Sequence, residues 1–68
     1  MIYKIRINHQ GYEIILYLTE DDYNWFLTNM WDEKKFVKVL DRRTKEVFII
    51  NKDFIDYVGA EEVTVIED

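Results

Sequence analysis

Only one stretch of this 68-residue chain, Thr19 to Trp31, repeats its apolar residues at helical spacing, and that constrains everything on either side of it. At about 100° per residue, Tyr23, Phe26, Leu27 and Met30 share one face, the stripe a helix buries against a sheet. Thr19 is placed to cap the first turn, with Asp22 three residues on in the manner of a capping box. Glu20, Asp21 and Asp22 put negative charge where the helix dipole favours it. Trp31 lies at the edge of the stripe. Trp25 sits about 200° from Tyr23, on the side that faces water. This out-of-place tryptophan is the sharpest functional pointer in the sequence.

Before the helix the pattern has period two. Ile2 to Asn8 sets Tyr3, Ile5 and Ile7 on one face and Lys4 and Arg6 on the other, a half-buried strand. Gly11 can supply the positive φ of a short hairpin loop with a bulge. Tyr12 to Leu18 returns with Tyr12, Ile14, Leu16 and Leu18 inward, and Glu13, Ile15 and Tyr17 on the second face. Ile15 and Tyr17 are apolar where an open sheet is polar, so either something covers that face or the sheet curls.

After a charged linker, Phe36 to Leu40 is a third strand, with Val37 and Val39 on one face. A type I turn over Asp41 to Glu46 follows, with Lys45 where glycine would most easily take the left-handed conformation. Val47 to Asn51 is apolar on both sides, the mark of a central strand or one at an interface. Phe54 to Val58 is a short strand or helical turn, Gly59 to Glu62 a break, and Val63 to Ile66 a last short strand. The chain is thus one small α+β domain over 1–68: a ββαββ(β) antiparallel sheet of four to six strands with one helix, about 19–31, across one face. A curled small barrel with one helix is the alternative.

Length and composition narrow the function. A chain this short buries only about 60% of the surface its unfolded form exposes, and small cores without staples often gain burial by oligomerising. There is no cysteine for a disulfide or thiolate metal site, and 49% of residues are hydrophobic. Self-association is therefore expected. Charges within the first apolar run argue against a signal peptide, and no stretch approaches a membrane span, so a cytoplasmic location without membrane contact is expected. The net charge of −5 is polarised. Residues 34–52 hold seven cations against two acids, while the rest holds two cations against twelve acids.

The run Phe36-Val37-Lys38-Val39-Leu40, a charged turn, Val47-Phe48-Ile49-Ile50-Asn51 and then Phe54-Ile55-Asp56-Tyr57-Val58 resembles small uncharacterised bacterial and phage-borne proteins. These run strand, charged turn, strand ending in Ile-Asn, then Ile-x-x-Val or Ile-x-x-Ile. The resemblance covers residues 36–58 and implies no activity and no site residue.

Catalytic chemistry is hard to place. Serine and cysteine are absent, so nucleophiles reduce to threonine hydroxyls and carboxylates. The single histidine, His9, falls in a turn and makes a poor metal site alone. Glu20, Asp21 and Asp22 are explained by capping without a cation. With Gly11 and Gly59 the only glycines, there is no phosphate loop. No enzyme activity, cofactor or metal is expected. The reading that fits best is a non-enzymatic protein-interaction module, with Trp25 as anchor and Ile15 and Tyr17 as supporting surface. The alternative is a nucleic-acid-binding protein in which Arg42, Arg43 and Lys45 touch phosphates and Phe36 and Phe48 stack on bases. A further arrangement sets the basic hairpin of one copy against the acidic end of another.

Overall fold

A computed structural model describes residues 1–66. Strand β1 (Ile2–His9) and strand β2 (Tyr12–Thr19) form an antiparallel hairpin running from Ile2↔Thr19 to His9↔Tyr12. Their connection is tighter than the bulged loop expected. Gln10 (φ 52°) and Gly11 (φ 84°) are both left-handed, the two-residue pattern whose twist matches its strands. The Asn8 side chain accepts the Gly11 N–H at 3.2 Å.

Helix α1 (Glu20–Met30) starts where the capping pattern places it. Thr19 has extended backbone angles, and its hydroxyl accepts the Asp22 N–H at 3.2 Å. Trp31 closes the other end by donating its N–H to the Thr28 carbonyl. The last turn carries no cation of its own. Lys52 supplies one from a distant segment: its Nζ donates to the Asn29 carbonyl at 2.7 Å and pairs with Asp32 at 2.6 Å. A cation there offsets the negative end of the helix dipole. The Lys52 hydrogen bond, followed by the Lys34 backbone N–H, holds the Asp32 carboxyl below its ordinary pKa.

Strands β3 (Phe36–Leu40) and β4 (Val47–Asn51) form a second hairpin, and a single 3₁₀ turn at Lys52–Phe54 leads into β5 (Ile55–Val63). The strands make two antiparallel sheets, one ordered β2-β1-β5 and one of β3 and β4. The α+β class holds, and the curled alternative does not, because the sheets do not close into a barrel. The last strand differs from the sequence reading. Instead of a break at Gly59 to Glu62, β5 runs along β1 from His9↔Ile55 to Ile2↔Val63, with its one register shift between Asn8 and His9. Gly59 is not left-handed, and the β1 ladder overrides the weak strand preference of Gly-Ala-Glu-Glu. The stretch 64–66 adds no strand.

One apolar cluster joins all these parts. Ile5 and Ile7 of β1, Leu16 and Leu18 of β2, and Val37, Val39 and Ile50 of the hairpin pack with Phe26, the only fully buried residue of α1. Strand β4 is not central. Among the described residues it pairs only with β3, turning Ile50 inward and leaving Val47 and Ile49 in solvent. Tyr12, expected inside, is exposed at the end of the first hairpin.

Lys45 is left-handed at φ 64°, as its place in the turn suggests. That conformation costs a residue with a Cβ about 1–2 kcal/mol, offset in part by the greater freedom glycine loses on folding. Lys45 is exposed, and only its backbone N–H is engaged, by the Asp41 carbonyl at 2.8 Å. Lys45→Gly is expected to raise unfolding stability by about 0.5–1 kcal/mol in urea titration. A lower midpoint would show that the side chain does more than tolerate the turn.

Candidate functional site

The second face of β2 is covered, not exposed. Tyr17 is 2% accessible beneath the turn that joins β3 to β4, with the Arg43 guanidinium 5.2 Å from the centre of its ring. Its main chain is also taken: the Tyr17 N–H donates to Asp41 Oδ1 at 3.0 Å, and its carbonyl accepts the Arg42 N–H at 2.7 Å. Tyr17 therefore cannot support an interaction surface. Its apolar side chain answers to a loop more than twenty residues away, which strand periodicity does not reveal. Ile15, on the same face, is half-buried and does not border Trp25.

Asp41 organises this contact. It is buried at 1% accessibility, and its carboxylate accepts the N–H groups of Tyr17 and Arg43 through Oδ1 and the Thr44 hydroxyl through Oδ2. Sequence reasoning passed over it as a turn residue. The residues expected to touch phosphates are consequently spoken for in part. Arg43 stacks on Tyr17, Arg42 is half-buried and bonded to β2 through its backbone, and Lys45 stands at the tip. Phe36 is exposed, but Phe48 turns toward the core.

Trp25 is 50% exposed and borders a shallow groove with Asp22, Lys38, Leu40 and Val47. No described residue of the C-terminal segment lines this groove. The outer face of the β3–β4 hairpin continues from this groove. Strand alternation puts Phe36, Lys38 and Leu40 of β3 on it, opposite Asn51, Ile49 and Val47 of β4. Ile49 is 69% exposed, and Phe36 and Val47 are each about half exposed. The sequence signal for this surface was the run Val-Phe-Ile-Ile, apolar on both sides, and its outward half is what remains uncovered. Trp25 thus has apolar neighbours, but they come from the hairpin and not from β2.

Other polar candidates have local roles. His9 packs edge-on against Phe54, ring centres 5.8 Å apart. Among the described residues no group of three or more His, Asp or Glu side chains is arranged to hold a metal ion, and no helix is long and apolar enough to cross a membrane. Set against protein-family models, curated proteins and solved structures, the chain matches none. The functional reading therefore rests on this surface alone.

Proposed function

We propose that this chain is a small non-enzymatic interaction module that associates with a second copy through Trp25 and the outer face of the β3–β4 hairpin. The observation carrying this reading is the continuity of Trp25 with Leu40, Val47 and Ile49 on an uncovered sheet face. Tryptophan anchors interfaces because it buries a large area at small entropic cost. A small core also gains most from such burial. Both charge signs border the groove, Asp22 on the helix and Lys38 on β3, so a two-fold arrangement can set each against its opposite across the axis.

The test is molar mass by light scattering over a concentration series, for the parent chain, Trp25→Glu and Ile49→Asp. A dimeric parent and two folded monomeric variants are expected, each substitution weakening association by about 2 kcal/mol or more. A monomeric parent at several hundred micromolar overturns self-association. Variants that both remain dimeric place the interface elsewhere.

A further inference from the structure

The three-stranded sheet has two edges, and the β3–β4 turn caps one of them at a single position. At the β2 edge, the Asp41 carboxylate and the Arg42 N–H occupy the outward main-chain groups of Tyr17. The β5 edge is open. Its geometry follows from Tyr17: because that residue points its N–H and C=O away from β1, its partner Lys4 points toward β5, and Glu61 opposite Lys4 points back. Val58, Ala60 and Glu62 therefore direct their main-chain donors and acceptors outward, with no strand, loop or side chain among the described residues engaging them.

Natural edges are commonly blunted by lysine, proline or a covering segment. Strand β5 has neither residue type within it, its charges are the acids Asp56, Glu61 and Glu62, and its one irregularity lies near Ile55, which leaves Val58 to Glu62 regularly paired with β1. Beside it lies an apolar groove of about 200 Å³ between the strand and α1, with Leu27 and Trp31 on the helix side and Val58 and Ala60 on the strand side. Trp31 is 87% exposed there. Register puts Val58 and Ala60 on the helix-facing side with Ile7 and Ile5, so a strand added at this edge projects every second side chain toward Trp31 and Leu27.

Charge selects the occupant. Strand β5 carries Asp56, Glu61 and Glu62 and no cation. Arg6 engages Glu61, while Asp56 and Glu62 make no ion pair among the described residues. Toward the helix N-terminus, desolvation and then the negative charges of Glu62 and Glu20 hold the Tyr3 phenol above its ordinary pKa. Two copies joined through β5 would set carboxylates near carboxylates, which is destabilising. We infer that the open β5 edge and the groove beneath Trp31 form a second binding site, which takes an extended, lysine- or arginine-bearing peptide segment of a partner protein as an added strand. Main-chain hydrogen bonds hold such a segment, and the groove reads its alternate apolar side chains.

The probe is a short capped peptide in which Val and Ile alternate with Thr between terminal lysines. It is titrated into the isotopically labelled chain and followed by amide NMR. Expected are shifts and exchange protection confined to Val58, Ala60 and Glu62, with the Trp31 indole moving and the Trp25 indole still. Replacing the lysines by glutamates, or N-methylating alternate peptide bonds, is expected to weaken binding about tenfold or more. Trp31→Ala is expected to do the same, and its side chain is too exposed to endanger folding. Ala60→Pro removes one outward N–H while leaving the β1 ladder intact, which β1 amide protection verifies. No binding at millimolar peptide overturns the inference, as does binding indifferent to charge or N-methylation. Concentration-dependent protection of Ala60 without peptide overturns it in favour of a second copy.

Discussion

Replacing Asp41 by alanine is expected to lower unfolding stability by about 3 kcal/mol, although no part of that side chain lies in the apolar core. Three donors lose their acceptor together: the Tyr17 and Arg43 N–H groups and the Thr44 hydroxyl. Of these the Tyr17 N–H matters most, because its hydrogen bond is buried. Leaving a buried donor unpaired costs roughly 1–3 kcal/mol, and the two remaining bonds add about 1 kcal/mol together. The loss also loosens the turn from β2, so Tyr17 and the guanidinium over it are expected to become mobile. Asp41→Asn retains an acceptor for Tyr17 and should cost less than half as much. Thr44→Val, which removes two bonds near the surface, the one the hydroxyl donates to Asp41 and the one it accepts from the Glu46 N–H, should cost about 1 kcal/mol. Urea titration orders the three variants, and an alanine variant within 1 kcal/mol of the parent would mean that the turn re-pairs without the carboxylate.

The larger effect belongs to Phe26. It is the one completely buried side chain of α1 and meets residues from β1, β2, β3 and β4 in a single cluster. Phe26→Ala is expected to cost about 3–5 kcal/mol, transfer and cavity combined. A small domain has about 5 kcal/mol to lose, so the variant should be largely unfolded at room temperature. Its neighbour gives the contrast. Trp25→Ala removes a bigger ring from the adjacent position, yet half of that ring already faces water. Its effect on the monomer should stay within about 1 kcal/mol. Circular dichroism with urea titration distinguishes the two, and comparable losses at both positions would refute the helix orientation.

Much of this architecture was legible where local signals were strong. The Thr19 cap, the acidic first turn and the spacing of Tyr23, Phe26, Leu27 and Met30 defined the helix nearly to its ends, although Leu27, read as part of the buried stripe, is 38% exposed. Alternation placed Ile5 and Ile7 inside and put Val37 and Val39 on one shared face, which proves to be the buried one, and the limits of β3 and β4 agree with the sequence reading. Failures arose where distant segments decide. Gly59 to Glu62 has poor strand character alone and is extended only because β1 offers a ladder to it. Tyr17 on the second face of β2 was an open question, since periodicity says which way a side chain points and not what will cover it. Its cover, Asp41 to Arg43, looked like an ordinary turn because the partner of Asp41 lies far away in sequence. The candidate surface was half legible. Trp25 was correctly placed in solvent, but its neighbours come from strand pairing that brings Leu40 opposite Val47.

The position of β1 between β2 and β5 has a consequence for the order of assembly. One neighbour is supplied by a two-residue turn, so the first hairpin can close early and locally. The other arrives from the far end of the described chain, with Val63 opposite Ile2. During synthesis, β1 therefore waits with one side unpaired while the helix and the second hairpin leave the ribosome, and the sheet is completed only when residue 63 emerges. Closing so large a loop makes this pairing the slow, high-contact-order step of folding. A ribosome stalled before β5 would hold a two-stranded β1–β2 sheet with its middle strand bare, a nascent chain open to capture by any strand-forming neighbour.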